Sequence, residues 1–511
     1  MTQDLDAIAA RAAAVAESFA DSDPRDRAAA LVAVADALEA RADELVAIAQ
    51  RETGLTQARL RGELTRTAVQ LRLFADTVID GGYLDVRIDD ADADFVLGVR
   101  PDVRRYLVPL GPVVNFAASN FPFAFSVAGG DTAAALAAGC PVILKAHSGH
   151  PELSRRTAEV VADALTSAGM PDGVFQLVTG QAEGVTILKD PRVKAASFTG
   201  SITAGRMLAD IAAARPAPIP FYGELGSVNP VFVTSVALAE RGSDIASGYV
   251  ASVAGSAGQL CTKPGFVFLP VGHGLDDELR AATETVAPHR LLNPRIAASF
   301  RERRSAVLAA PGVRVVVPGS IECDADGQGF VTPTIVAVSL AALQEDRDTL
   351  LEESFGPLSI LVEYQPGTDL AALVPTLFEG NLTATIHAGE TEQDAPLRRL
   401  IRVLAEHAGR VLCGGWPTGV AVTPAMQHGG PWPATTNDSS TSVGSAAIRR
   451  FLRPVAYQGA AEALLPPPLQ RANPWRVPQA VSVAGTSRSW GGSFSRVGGV
   501  TDISLLANIR K

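Results

Sequence analysis

Pro141-Val142-Ile143-Leu144-Lys145 is the run of sequence on which the fold depends. Short β-branched runs of this kind alternate with helical stretches, and they span 106–116, 141–146, 174–178 and 194–199. Because strand, helix and strand at this spacing form βαβ units, the sequence predicts a parallel sheet with right-handed connections. Ligands of such sheets bind at the carboxyl ends of the strands, where Lys145 should emerge.

A second alternation between residues 228 and 437 predicts a second α/β domain. Its strands are expected at 230–233, 265–269, 359–364 and 382–387, because these runs are short and apolar. Before the first sheet, apolar residues at helical spacing predict three helices within residues 5–82.

Two further segments predict a β arm. Residues 83–106 alternate apolar and polar residues, which favours a hairpin with strands at 83–88 and 95–99, and residues 448–458 could return as another strand. The expected fold class is therefore α/β, with two doubly wound domains and an arm. After residue 465 we expect order to fade into a Gly/Ser-rich linker at 484–499. The amphipathic end at 501–511 has two interpretations, a docking peptide for a partner or a disordered terminus.

Composition narrows the function classes. A chain of 511 residues with 47% hydrophobic and 19% charged residues is expected to form two or three globular domains. The net charge of −10 argues against binding to nucleic acid. The cysteines are scattered without metal-ligand spacing, so neither a disulfide framework nor a metal site is expected. The N-terminus has no signal-peptide pattern, and the most apolar stretch, 113–144, is interrupted by Pro122, Asp131 and Pro141. We therefore expect no membrane span and a cytoplasmic location.

One cysteine differs from the others in its local sequence. Cys261 ends the small-residue run Gly255-Ser256-Ala257-Gly258-Gln259-Leu260-Cys261, which leaves the approach to its thiol open. A lone cysteine is usually a small buried apolar residue, and the alternative is a catalytic nucleophile.

Polar residues at strand ends could bind a nucleotide. Gly200 permits a tight turn after the 194–199 strand, and Ser201 can cap the next helix, whose N-terminus offers free N–H groups to a phosphate. The alternative is a simple helix cap. Lys145 is either a donor to a ribose or phosphate or a lysine whose stem lies along apolar surface.

Three other residues could complete a reactive site. The amide of Asn120 suits an oxyanion, although an asparagine before a proline is often only a turn residue. Glu224 lies between glycines beside apolar strands, so its pKa could be raised and it could act as a general base. Glu353 precedes Phe355-Gly356-Pro357, with Glu352 as the alternative. A thiol, an amide donor, a base and a nucleotide cradle together suit oxidation of an aldehyde through a thioester.

Ordered motifs across residues 55–458 resemble the aldehyde dehydrogenase superfamily. They are Ser119-Asn120-Phe121-Pro122-Phe123, Lys145, Phe198-Thr199-Gly200-Ser201, Glu224-Leu225-Gly226, Gly258-Gln259-Leu260-Cys261 and Glu353-Ser354-Phe355-Gly356-Pro357. The resemblance implies that Cys261 is the nucleophile and that Glu224 activates the hydrolytic water. It further implies that Asn120 and the Cys261 N–H form the oxyanion hole.

The same resemblance implies a cofactor site and a domain plan. Lys145 and Glu353 would contact ribose hydroxyls and Ser201 the pyrophosphate, and the remaining cofactor residues would be Ser148, Gly200, Gly205 and Phe355. The implied parts are a cofactor-binding domain (1–82 and 105–227), a catalytic domain (228–437), an oligomerisation arm (83–104 and 438–458) and a C-terminal extension (459–511). A homodimer or homotetramer is implied.

Two departures from the family pattern affect the expectations. The usual Lys-Pro-Ser/Ala-Glu is replaced by Lys145-Ala146-His147-Ser148, so the carboxylate that would hold the adenosine ribose is absent. Because its loss removes repulsion against a 2′-phosphate, we expect NADP to be accepted and preferred, with NAD possible. Ser227 replaces the second glycine after Leu225, and we expect little change from it.

A narrower resemblance covers the C-terminal motifs Gly415-Trp416-Pro417-Thr418-Gly419, Met426-Gln427-His428-Gly429-Gly430 and Arg450-Phe451-Leu452-Arg453-Pro454. They are similar to 2-oxoglutarate semialdehyde (2,5-dioxopentanoate) dehydrogenases and to NADP-linked bacterial fatty aldehyde dehydrogenases, so both substrates stay open. His428 is either a packed loop residue or a residue at the substrate mouth. The rivals from other classes are a non-catalytic binding protein and a cysteine hydrolase, which would need a histidine base near Cys261.

Overall fold

The computed structural model describes residues 3–491. Residues 5–80 form four helices, where the sequence predicted three, because the second predicted helix is interrupted at Arg41. The helices are α1 Leu5–Ala20, α2 Pro24–Ala40, α3 Ala42–Thr53, α4 Gln57–Asp80, α5 Gly130–Ala138, α6 Pro151–Ser167, α7 Gln181–Lys189, α8 Ile202–Ala213, α9 Ser235–Ala254, α10 Asp276–Glu284, α11 Pro294–Ala309, α12 Leu340–Glu345, α13 Arg347–Leu350, α14 Leu370–Leu377 and α15 Ala395–His407. None of the helices within the described residues is both long and apolar enough to cross a membrane.

Four sheets are formed by the described strands. The strands are β1 Val86–Asp89, β2 Val103–Pro109, β3 Val113–Phe116, β4 Val142–Lys145, β5 Phe175–Val178, β6 Ala195–Thr199, β7 Phe221–Glu224, β8 Val231–Val233, β9 Phe266–Pro270, β10 His289–Arg290, β11 Arg314–Val317, β12 Ser320–Cys323, β13 Gly329–Thr332, β14 Thr334–Ser339, β15 Leu358–Tyr364, β16 Asn381–His387, β17 Ala408–Cys413, β18 Leu452–Gln458 and β19 Gln479–Ser482.

The first α/β sheet confirms the prediction from the βαβ pattern. Its order is β5-β4-β3-β6-β7, and every neighbouring pair is parallel. The chain reverses its winding direction between β3 and β6, so a crevice opens at their carboxyl ends. Phe116 and Lys145, the last residues of β3 and β4, are in register with each other, and Phe116 is in register with Phe198, one residue before the end of β6. β7 ends at Glu224, which pairs with Thr199 of β6.

The second α/β sheet has the order β11-β14-β15-β9-β8-β16-β17, and β11 alone runs antiparallel to its neighbour. Four of its strands are those that the sequence predicted, and β11, β14 and β17 were missed. The stacked rings of Phe232 and Phe268, with centroids 4.6 Å apart, lie in its core. A small sheet, β10-β13-β12, completes this part of the chain.

Residues 77–108 and 452–511 form a separate compact unit, of which the structure describes the part up to residue 491. Its sheet has the order β18-β2-β1-β19. The predicted hairpin is present, but its second strand is Val103–Pro109 and not 95–99. The predicted return strand near 448–458 corresponds to β18.

The segment after residue 465 differs from the expected loss of order. Gln479–Ser482 pairs in parallel with Val86–Asp89 as strand β19. The predicted docking peptide at 501–511 and the second half of the predicted linker, 492–499, lie outside the described residues.

Candidate active site

The small residues before Cys261 are explained by the backbone that they adopt. Helix α9 ends at Ala254, and Ser256, Ala257 and Gly258 then take left-handed φ angles of 52°, 55° and 64°. A side chain on Gly258 would place its Cβ 2.4 Å from the carbonyl of Gly356. Strained backbone of this kind persists only where the surroundings enforce it, which is typical of reactive sites.

Asn229, which the sequence analysis missed, fixes the loop that carries Cys261. Its Nδ2 donates to the carbonyl oxygens of Cys261 at 2.8 Å and Lys263 at 3.0 Å. The hydroxyl of Ser227 donates to Asn229 Oδ1 at 2.8 Å and accepts from the N–H of Leu382. Ser227, expected to change little, therefore supports the amide that holds the nucleophile loop.

Cys261, His428 and Glu224 form one cluster. His428 Nε2 lies 3.7 Å from Cys261 Sγ and 3.0 Å from Glu224 Oε1. The hydroxyl of Ser442 donates to the other carboxylate oxygen at 2.6 Å. Glu224 and His428 are each 1% exposed. One ligand atom from each of Cys261, His428 and Glu224 lies within 4.8 Å of the other two, so a thiol, an imidazole and a carboxylate can exchange protons directly.

The loop of His428 reaches Glu224 because it pairs with strand β7. Glu224 and Thr435 form an antiparallel bridge, and the N–H of Leu225 donates to Ala434 O at 2.8 Å. The N–H of Thr436 donates to Gly223 O at 3.0 Å. His428 is packed in its loop and also lies beside the thiol of Cys261, and its place at the substrate mouth stays a prediction.

The pKa of Glu224 is lowered, whereas the sequence predicted that it would be raised. Burial alone would raise its pKa, but the imidazole of His428 and the hydroxyl of Ser442 stabilise the carboxylate and lower its pKa to about 2. The expected raised pKa was wrong because neither partner is near Glu224 in the sequence. Glu224 is thus ionised, and it can hold a positive charge on His428.

The pKa of the Cys261 thiol is shifted in the opposite direction, upwards. Burial and the adjacent Glu224 carboxylate raise the pKa of Cys261 well above its ordinary value, and Arg66 opposes this effect. The resting thiol is therefore protonated and needs a proton acceptor before it can attack.

Alkylation should reveal this coupling. We expect iodoacetamide to modify Cys261 slowly at pH 7, and Glu224→Gln to accelerate the modification at least about tenfold, because removing the carboxylate lowers the pKa of the thiol. Peptide mass spectrometry separates Cys261 from Cys413, whose exposed thiol serves as the internal control. An unchanged pH–rate profile at Cys261 in the variant would contradict the assignment.

Asn120 lies against the nucleophile loop. Its side chain is buried, and its Nδ2 donates to the carbonyl of Gln259, two residues before Cys261, at 3.1 Å. Arg59 donates to the carbonyl of Asn120 at 3.0 Å and pairs with Glu63, whose other oxygen accepts from the N–H of Phe123. The amide nitrogen of Asn120 has a second N–H, which is the one that its predicted oxyanion role would use.

The predicted cofactor residues of the first sheet are near its switch point. Lys145 ends β4 half-buried, and burial lowers its pKa. The hydroxyl of Ser201 caps α8 by accepting from the N–H of Ala204, and Gly205 lets α8 approach Leu225, whose Cδ2 would lie 2.0 Å from an added Cβ. Gly200 and Ser148 are exposed. A helix N-terminus and a lysine at this crevice fit a dinucleotide pyrophosphate and ribose.

Glu353, the other predicted ribose contact, lies shortly before strand β15 of the second sheet. Burial raises the pKa of this carboxyl to about 7, and Lys263, whose own pKa burial lowers to about 8, opposes the rise. An added Cβ on Gly226 would lie 2.5 Å from Glu353 Oε2, so glycine keeps that space open. A half-buried carboxyl at this place fits the ribose hydroxyls of a dinucleotide, and Phe355, two residues later, is also half-buried.

Known proteins resemble this chain in sequence and in fold. The profile of the aldehyde dehydrogenase family matches residues 1–430. Alpha-ketoglutaric semialdehyde dehydrogenase 2 from Azospirillum brasilense is 45% identical over 89% of this chain and 86% of its own. Alpha-ketoglutaric semialdehyde dehydrogenase from Acinetobacter baylyi is 40% identical over 90% of this chain and 87% of its own. The structure of an NAD-dependent aldehyde dehydrogenase from Sinorhizobium meliloti superposes with a TM-score of 0.73 at 22% identity, covering 90% of this chain and 87% of that one.

Proposed function

Because the chain belongs to the aldehyde dehydrogenase family, we propose that it oxidises 2,5-dioxopentanoate to 2-oxoglutarate, with NADP preferred over NAD. The observation that carries the proposal is the Cys261–His428–Glu224 cluster, which supplies a nucleophile, a proton acceptor and a counter-charge. The substrate is proposed because both relatives named for it match nearly the full chain. A long-chain aldehyde is the alternative substrate.

Proton transfer from the thiol starts the proposed cycle. The proton passes to the His428–Glu224 pair, whose Nε2 lies 3.7 Å from Cys261 Sγ and 3.0 Å from Glu224 Oε1. The thiolate then bonds to the aldehyde carbon, and the carbonyl oxygen becomes an oxyanion. The amide of Asn120 and the N–H of Cys261 would donate to that oxygen.

The dinucleotide would be held by Lys145, Ser201 and Glu353. When bound, it supplies the acceptor for the hydride that leaves the substrate carbon, so that a thioester to Cys261 remains. His428 and Glu224 then deprotonate water, which attacks the thioester. The carboxylic acid leaves, and Cys261 regains its proton.

Cofactor preference can be tested at Ser148. We expect a kcat/KM at least about tenfold higher with NADP than with NAD, because no carboxylate at this position repels the 2′-phosphate. Ser148→Glu should restore the repulsion and reverse the preference, whereas Ser201→Ala should weaken both cofactors alike. Initial rates with each dinucleotide measure this. A higher kcat/KM of the unaltered enzyme with NAD than with NADP would contradict the expected preference for NADP.

A kinetic screen of aldehydes tests the substrate. We expect 2,5-dioxopentanoate to give a higher kcat/KM than hexanal, decanal or tetradecanal. A rate that increases steadily with chain length would instead assign the enzyme to long-chain aldehydes.

The geometry also bears on the hydrolase alternative, because a histidine does lie beside Cys261. A cysteine hydrolase needs the same thiol and imidazole, but no dinucleotide. Hydrolysis of 4-nitrophenyl acetate without cofactor measures this activity. A kcat/KM for the ester above that for every aldehyde in the screen would favour the hydrolase.

Assembly and location stay predictions. We propose a homodimer or homotetramer in which the arm of residues 83–104 and 438–458 contacts a second copy, on the basis of the family resemblance. The domain boundaries, the cytoplasmic location and a partner for the 484–511 tail are likewise predictions.

A further inference from the structure

Two buried hydrogen-bond donors on helix α4 have no partner among the described residues. They are Nη1 of Arg66 and Nε2 of Gln70. Gln70 is 2% exposed, and the two residues are four apart, so they lie on the same face of the helix. An unpaired buried donor is costly, and two of them one turn apart indicate a missing acceptor.

Arg66 lies close to the reactive cluster. Its guanidinium carbon is 5.2 Å from the ring centroid of Phe125, and that ring is 6.2 Å from the ring of His428. His428 in turn is 3.7 Å from the thiol of Cys261. Phe125 thus lies between the guanidinium and the histidine.

Nearby acids do not neutralise Arg66 through a direct bond. Glu63, one turn earlier, binds Arg59 with one oxygen at 2.5 Å. Its other oxygen accepts from the N–H groups of Phe123 at 2.8 Å and Ala124 at 2.9 Å. Arg59 resembles Arg66 in facing an aromatic ring, but its own groups bind Glu63 and Asn120. Of these two arginines, Arg66 is therefore the one available to a ligand.

The pKa values of Arg66 and Cys261 are consistent with their being close together. Burial lowers the pKa of Arg66, whereas Glu63, Cys261 and Glu224 raise it. The guanidinium and the Cys261 thiol therefore affect each other's ionisation, as two groups lining one cavity would.

We propose that Arg66 and Gln70 form a carboxylate-binding site that holds the far end of the substrate while its aldehyde reaches Cys261. A carboxylate has two oxygens, one for the guanidinium and one for the amide, and it would satisfy both unpaired donors. The ligand class is a short aldehyde that carries a carboxylate at the opposite end. This inference rests on the proposed function and explains why that substrate would exceed a fatty aldehyde.

The test compares an acidic and a neutral aldehyde of equal carbon number, 2,5-dioxopentanoate and pentanal. We expect Arg66→Gln to lower kcat/KM for 2,5-dioxopentanoate at least about tenfold more than for pentanal, mainly through KM, because a charge-assisted hydrogen bond is lost. Arg66→Lys should recover part of the loss. Gln70→Leu should act in the same direction with a smaller effect. The matched control is Arg61→Gln on the same helix, whose exposed side chain pairs with Asp43.

A second measurement does not depend on turnover. Glutarate, a dicarboxylate without an aldehyde, should protect Cys261 from iodoacetamide in the unaltered enzyme, and Arg66→Gln should abolish that protection. Equal losses for both aldehydes, or absence of protection by glutarate, would overturn the site. If decanal were the better substrate but glutarate protection depended on Arg66, the proposed substrate would fail while the carboxylate site stood.

Discussion

Replacing Cys261 by serine should lower the rate of aldehyde oxidation at least about a thousandfold, because an un-ionised hydroxyl is a far poorer nucleophile than a thiolate and an alkoxide is a far poorer leaving group. A serine hydroxyl also has a much higher pKa than a thiol, so it loses its proton less readily to the neighbouring His428–Glu224 pair. Its oxygen also makes a shorter bond to carbon. Dehydrogenase activity, followed by absorbance of the reduced dinucleotide, is the measurement.

The control for this variant is Cys413→Ser, which removes an exposed cysteine at the end of β17. It should retain the full rate. Titration with NADP should give the same Kd for Cys261→Ser as for the unaltered enzyme, which separates lost chemistry from lost folding. Retention of a tenth of the activity would show that another group is the nucleophile. A lack of oxidation by the unaltered enzyme with every aldehyde would instead favour the non-catalytic interpretation.

The strands that carry the site could be predicted where they are buried. Val142–Lys145 is apolar up to its last residue, so its carboxyl end could be located without a structure. β19, Gln479–Ser482, could not, because it is short, has no buried residue, follows a Pro-rich segment and depends on β1, almost 400 positions earlier, for its hydrogen bonds. Pairing of this kind has no local sequence pattern.

The chemistry of the site was only partly accessible from sequence for the same reason. Motif order located Cys261, Glu224 and Asn120, but the ionisation of Glu224 depends on His428 and Ser442, which are about two hundred residues away. Backbone pairing between β7 and the 434–436 segment brings them together. Arg66 and Gln70 look like ordinary residues of an amphipathic helix until their missing partners are counted.

Replacing Glu224 by glutamine should separate the two halves of the reaction. We expect a single equivalent of NADPH per subunit in a rapid burst, after which steady turnover falls about 10²- to 10⁴-fold. The acyl-forming half survives because loss of the adjacent carboxylate lowers the pKa of the Cys261 thiol, which aids attack. The hydrolytic half fails because a glutamine cannot take up the proton that the attacking water must lose.

Rescue by an external nucleophile distinguishes this explanation from general damage. Hydroxylamine attacks a thioester without help from a protein base, so it should restore turnover in Glu224→Gln and release the hydroxamic acid. Glu352→Gln, which removes an exposed carboxylate, should behave as the unaltered enzyme in the same assay. Normal steady turnover of Glu224→Gln without hydroxylamine would exclude Glu224 from water activation. If Glu224→Gln shows neither a burst nor rescue by hydroxylamine, the Glu224 carboxylate is needed already for the attack of Cys261 on the aldehyde.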